Sequence, residues 1–167
     1  MTRAYIALGS NLGDSRGILS AALAALDGLD ETQLVSVSPA YRSAAIGPGE
    51  QPDYINLVAL LETRLPPAAL LRAMQAIERD HGRERRQRWA ARTLDLDMLL
   101  YGNEVRDEPE LTLPHPRMTQ RDFVLVPLAD LDPELALPCG TTLASLLQRC
   151  PRGQLSPLGE AIEAGPQ

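Results

Sequence analysis

The chain has 167 residues, 44% hydrophobic and 23% charged, an ordinary balance for one folded domain with its own core. No apolar run approaches the roughly 18 residues a membrane span needs, and Met1-Thr2-Arg3-Ala4-Tyr5 lacks a leader's apolar core, so a soluble cytoplasmic protein is expected. A net charge of −6 argues against a general nucleic-acid binder; Cys139 and Cys150 are too few for a zinc site, and His81 and His115 too few for a multi-histidine centre, so oxygen ligands remain for any metal.

Ala4-Tyr5-Ile6-Ala7-Leu8-Gly9 reads as a largely buried first strand. Ser10 to Asp14 is turn chemistry, with Asp14 or Ser15 as the N-cap of a helix carrying Leu19, Ala22, Leu23 and Leu26 and closed by Gly28. Leu34, Val35, Val37 and Tyr41 fit a second strand, interrupted or ended by Pro39, and residues 42 to 53 form a Gly/Pro loop. Tyr54 to Thr63 is a third strand. Pro66 and Pro67 open a second helix striped by Leu70, Leu71, Met74 and Ile77 and ended by Gly82. Leu94 to Tyr101 alternates as a fourth strand, and Gly102-Asn103 is a turn. Val124 to Leu131 and Thr142 to Arg149 predict short helices. Residues 1–167 are read as a single domain, with 151–167, rich in Gly and Pro, as a loosely packed tail. The order βαββαβ plus C-terminal additions is the ferredoxin-like α+β pattern, a mainly antiparallel sheet with helices on one face.

All 16 basic residues are arginine, so neither a Schiff-base lysine nor a P-loop lysine exists. Six arginines between Arg79 and Arg92, against only Asp80 and Glu84, give that window +4 and leave the rest at −10. Such a patch on an acidic protein suits a compact anionic ligand. With Trp89 in its midst, the arginine-rich loop from Arg83 to Arg92 reads as a lid. Asp95 and Asp97 are two apart on a strand and share a face, where Mg²⁺ would neutralise them; a solvated face paired with arginines is the plain alternative. Carboxylates for a metal beside guanidiniums for phosphate oxygens suit phosphoryl transfer. Two prolines hold His115 in a rigid loop, and Phe123, the only phenylalanine, is either core or a stacking platform near Tyr54. Gly9-Ser10-Asn11-Leu12-Gly13 reads as a strand-to-helix turn and not a phosphate loop. Two other readings stay open: a ferredoxin-like binding module without chemistry, and another Mg²⁺-dependent nucleotidyl enzyme.

The segments Ala4 to Gly13, Gln51-Pro52-Asp53-Tyr54-Ile55-Asn56, Arg88-Trp89 to Asp97 and Leu113-Pro114-His115 together resemble the 6-hydroxymethyl-7,8-dihydropterin pyrophosphokinases of folate biosynthesis, over about four-fifths of the chain. The resemblance implies a ferredoxin-like fold and transfer of pyrophosphate from ATP to the pterin hydroxymethyl group, releasing AMP. It implies that Asp95 and Asp97 hold two Mg²⁺ ions, and that Arg83 and Arg92 act from a mobile catalytic loop. Ser43, Ala44, Ile46, Tyr54, Asn56 and Phe123 match pterin-pocket residues, the two rings sandwiching the pterin. Gln75, Glu78, Arg85, Arg88, Trp89, Thr112, His115 and Arg121 correspond to nucleotide and phosphate contacts. The partners expected are ATP and 6-hydroxymethyl-7,8-dihydropterin, with no nucleic acid and no membrane, and the protein is expected to be a monomer.

Overall fold

Alternation along three long strands decides the architecture. In this computed structural model, which describes residues 1–11, 14–43, 53–83, 94–153 and 155–165 (backbone only at 82 and 83), β1 (Thr2–Ser10) lies between β4 (Tyr54–Thr63) and β5 (Asp95–Tyr101). Strand β4 pairs on its other side with β2 (Thr32–Val37) over one half and β3 (Tyr41–Ser43) over the other, and every pairing is antiparallel. With α1 (Ser15–Asp27) and α2 (Pro67–Glu78), the result is a βαββαβ order compatible with the expected ferredoxin-like pattern.

One sheet face carries Ala4, Ile6, Leu8, Leu57, Leu61 and Leu96 against Leu19, Leu23 and Leu26 of α1 and Leu70, Met74 and Ile77 of α2. The opposite face is also covered. Tyr5, Val58, Leu60, Leu99 and Leu100 pack on Val124, Leu125 and Leu128 of α3 (Asp122–Leu131) and on Leu143 and Leu146 of α4 (Leu143–Arg149). The C-terminal additions are thus the second layer, because β4 is apolar on both sides and needs cover on both.

Local chemistry sets the element ends. Asp14 Oδ1 accepts the Gly17 N–H at 3.1 Å, the Gly28 N–H bonds back to Ala24, and Thr142 caps α4 through Ser145 N–H. Helix α2 runs into a π-turn over Arg79–Arg83. The expected second strand is two, broken at Ser38-Pro39 because proline has no N–H for the ladder. Ser38 bridges the gap: its N–H donates to Val58 O at 2.9 Å, and its Oγ accepts the Val58 N–H at 2.9 Å.

Two tyrosines tie the sheet to the end of α3. Tyr5 donates its hydroxyl to Asp132 Oδ2 at 2.8 Å, and Tyr41 donates to Asp130. Burial, reinforced by those carboxylates, pushes both phenols up to about 12.

The segment after Cys150 is not the loose tail its composition suggests. Strand β8 (Leu155–Pro157) pairs with β3, Leu158 N–H donates to Ala40 O at 2.9 Å, and Ile162 is buried in the α1 core. Ser20 Oγ donates to Glu163 O at 2.7 Å and Arg16 pairs with Glu160. Edge pairing and one buried isoleucine order a stretch that has no periodicity of its own. Two further short strands, β6 (Arg106–Asp107) and β7 (Thr112–Leu113), form a separate hairpin.

Ser38→Ala should fold but lose about 1–3 kcal/mol, since it strands a buried backbone N–H. Chemical denaturation at fixed pH measures this; an unchanged midpoint and slope would show that Ser38 Oγ contributes nothing to stability.

Candidate active site

Register places the polar residues. Gly9 of β1 is paired with Asn56 on one side and with Asp95 on the other, and Ala7 is paired with Asp97. Directly opposed residues share a face, so Asn56, Asp95 and Asp97 all lie on the face that α3 covers. Helix α3 begins only at Asp122, leaving that end of the sheet open. The opening is a cavity of about 600 Å³ lined by Ala7, Gly9, Ser43, Tyr54, Asn56, Asp95, Asp97, Gln120 to Val124, Gly153 and Leu155.

Gly9 is required here for space. A Cβ at this position would sit 2.9 Å from Asn56 Oδ1. Asn56, only 7% exposed, donates from Nδ2 to Ser43 Oγ at 2.9 Å. This bond fixes the amide orientation while its oxygen and second hydrogen have no hydrogen-bond partner among the described residues. The side chain can therefore read a polar heterocycle edge.

The other side of the cavity is charged. Asp97 Oδ1 lies 3.7 Å from His115 Nε2, and its Oδ2 lies 3.8 Å from Arg121 Nη1. His115 Nδ1 accepts the Arg117 N–H at 3.2 Å, so a neutral imidazole carries its proton on Nε2, facing Asp97. The Arg121 guanidinium also stands 5.6 Å from the Phe123 ring centroid, linking the carboxylate side to the aromatic side. Glu78, 6% exposed at the end of α2, accepts the Leu96 N–H at 2.9 Å. Leu96 separates Asp95 from Asp97, so this buried carboxylate holds the backbone that presents the pair.

The fold thus brings Ser43, Tyr54, Asn56, Asp95, Asp97, Arg121 and Phe123 to one cavity, with His115 in contact through Asp97. It does not bring in Gln75, which is exposed on α2, or Thr112, which is paired with Asp107 in the hairpin. Glu78 does not line the cavity and meets the site through the β5 backbone. Ala44, Ile46, Arg85, Arg88, Trp89 and Arg92, and with them the lid, lie outside the described residues, as does the Arg83 side chain. Sequence reasoning missed several cavity residues, among them Gly9, Asp122, Gly153 and Leu155. Only the glycine offered a signal, as the last residue of a buried strand where a side chain would normally stand.

The 7,8-dihydro-6-hydroxymethylpterin-pyrophosphokinase model matches residues 5–133. The chain belongs to this family. Among curated relatives, the 2-amino-4-hydroxy-6-hydroxymethyldihydropteridine pyrophosphokinase of Pseudomonas aeruginosa is 54% identical over 149 residues, covering 89% of this chain and 92% of the relative. The Haemophilus influenzae enzyme of the same name is 48% identical, covering 89% and 93%. In fold, the chain resembles a solved HPPK-DHPS in complex with substrates, with a TM-score of 0.70 at 12% identity. It resembles wild-type Plasmodium falciparum HPPK-DHPS with a TM-score of 0.68 at 14% identity. The match covers 89% of this chain but spans only 45% and 44% of those longer chains.

Gly9→Ala is expected to leave the fold intact and to displace the Asn56 amide, lowering pyrophosphokinase kcat/KM by about tenfold through misplaced substrate. Steady-state AMP release measures it, and wild-type kcat/KM in a folded variant would refute the close-approach role.

Proposed function

We propose that the cavity binds the pterin, and that Asp95 and Asp97 at its charged side hold magnesium and the polyphosphate of ATP. The reaction is that of the family: pyrophosphate passes from ATP to the hydroxymethyl group of 6-hydroxymethyl-7,8-dihydropterin, in folate biosynthesis. Atom balance makes AMP the second product, because the β and γ phosphates leave together. The observation that carries the site reading is the shared register of Asn56, Gly9 and Asp95, which sets a heterocycle-reading amide and a metal-type carboxylate on strands flanking β1, in one cavity.

The donor set suits magnesium. Two hard carboxylates lie on one face of β5, and among the described residues no group of three or more His, Cys, Asp or Glu is arranged to hold a metal ion by itself. Magnesium shares its shell with water and substrate phosphates, so two protein carboxylates suffice. When bound, the metal supplies neutralisation of phosphate charge and polarisation of the phosphorus–oxygen bonds.

This chain's own residues do the rest. Tyr54 and Phe123 offer rings to the flat pterin, and Asn56 bonds its polar edge. Arg121 stands between the Phe123 ring and Asp97, where a guanidinium stabilises charge on the transferred phosphates. His115 stands beside Asp97 Oδ1 and orients the carboxylate from there. Arg83, Arg85, Arg88, Trp89 and Arg92 close over the nucleotide on this reading, supported by the charge of their window and the family resemblance. Gln75 and Thr112 contact the nucleotide only if it extends beyond the cavity. Attack by the hydroxyl oxygen on the β-phosphorus breaks its bond to the α–β bridging oxygen. A monomer with a single domain, two magnesium ions and a cytoplasmic location complete the reading.

ATP labelled at the β or γ position distinguishes this reaction from ordinary kinase chemistry. Both labels should appear on the pterin, with unlabelled AMP released; labelled ADP would overturn the assignment. Asp95→Ala and Asp97→Ala should each lower kcat by at least about a hundredfold, with circular dichroism unchanged. Near-normal turnover at limiting magnesium would remove the carboxylates from the metal role.

A further inference from the structure

The open end of the sheet has a wall that belongs to neither the βαββαβ unit nor the charged side. Gly153 and Leu155 line the cavity, both from the C-terminal segment. Leu155 is paired with Ser43 across β8 and β3, and Ser43 is the residue that accepts the Asn56 amide. The wall therefore stands directly beside the heterocycle-reading group.

One hydrogen bond ties this wall to α3. Asp122 Oδ2 accepts the Gly153 N–H at 2.8 Å across 31 residues of sequence. Asp122 lies between Arg121 and Phe123 in the chain and lines the same cavity. Farther along, beyond Leu155, the segment is held independently by Leu158 N–H to Ala40 O and by Ile162 in the core. Losing the Asp122 bond would free the wall near Gly153 while Leu158 and Ile162 stay anchored.

We propose that Asp122 is a positioning residue for the pterin: by holding Gly153 it keeps Leu155 against the cavity and so sets pterin affinity without taking part in phosphate chemistry. This rests on reading the cavity as the pterin site. Neither α3 nor β8 alone closes that side, so the two are clamped at the residue preceding the aromatic platform. A carboxylate serves because it accepts a backbone N–H strongly and also suits the first turn of a helix.

The test compares Asp122→Ala, Asp122→Asn, Leu155→Ala and Phe123→Ala by calorimetry with 6-hydroxymethyl-7,8-dihydropterin and by steady-state kinetics. Thermal melts establish that each is folded. Asp122→Ala and Leu155→Ala should raise pterin Kd and KM about three- to tenfold, with kcat and the KM for ATP within about twofold of wild type. Asp122→Asn should restore pterin affinity, since its amide oxygen accepts the same N–H. The effects of Asp122→Ala and Leu155→Ala should combine less than multiplicatively, because both act through one wall. If Phe123→Ala weakens pterin while folded Asp122→Ala leaves its Kd unchanged, the clamp is refuted and the pocket reading stands. Equal losses for pterin and ATP would assign Asp122 a general structural role and also refute the proposal. If Phe123→Ala has no effect, the cavity is not the pterin site and the proposal falls with that reading. Should Asp122→Ala fail to fold, Leu155→Ala decides: an unchanged pterin Kd overturns the wall.

Discussion

Strand β1 must pair on both edges while burying one face and leaving room on the other, and Gly9 is where those demands meet. Its two neighbours across the ladder are Asn56 and Asp95. A side chain there would collide with the Asn56 amide. Every polar feature of the cavity is arranged around that missing side chain: the amide lies across the gap, the carboxylates stand one strand away, and α3 covers the same face only from Asp122 onward. The far end of this face is filled by Tyr5, Leu60 and Leu100 against α3, so one sheet surface changes from packed core to open site along its length.

Charge within the site is arranged in layers. Asp97 faces the cavity with His115 and Arg121 at its two oxygens, while Glu78 works from the α2 side through the Leu96 N–H. Because Leu96 points into the core between two outward carboxylates, the backbone held by Glu78 aims both. Glu78 thus serves the site without lining it. Its sequence position, at the end of an amphipathic helix, gives no indication of this.

Local periodicity made most of the framework legible. The 54–63 strand, the α1 stripe and the Asp95/Asp97 alternation each come from spacing within a few residues, and spacing is what backbone geometry converts into a face. The family resemblance added Tyr54, Asn56, Arg121 and Phe123, which the fold collects from places up to 69 positions apart. The features that stayed hidden depend on long-range pairing. Leu155 meets Ser43 more than a hundred residues upstream, and three residues ending in proline carry no strand pattern. Gly and Pro after position 150 suggested looseness, yet Gly153 contributes its N–H, a group every residue but proline has and composition cannot reveal. The second helical layer was likewise legible as helices but not as cover, since nothing local says which face a later helix will seek.

One irregularity in the sheet bears on how such a site tolerates change. Opposite Tyr5 and Ile6 the β5 ladder shifts by one residue: Met98 matches Ile6, Leu100 matches Tyr5, and Leu99 is the extra residue. Before the shift the strand presents Asp95 and Asp97 to the cavity; after it, Tyr101 joins the α1–α2 core and donates its hydroxyl to Leu65 O at 2.6 Å. A bulge of this kind uncouples the phase of one half of a strand from the other. Mutational drift at the Tyr101 end, including a one-residue length change absorbed at Leu99, can be accommodated without rotating the carboxylates away from their partners. The strand is a two-part ruler, and only the part nearer the chemistry must keep its marks.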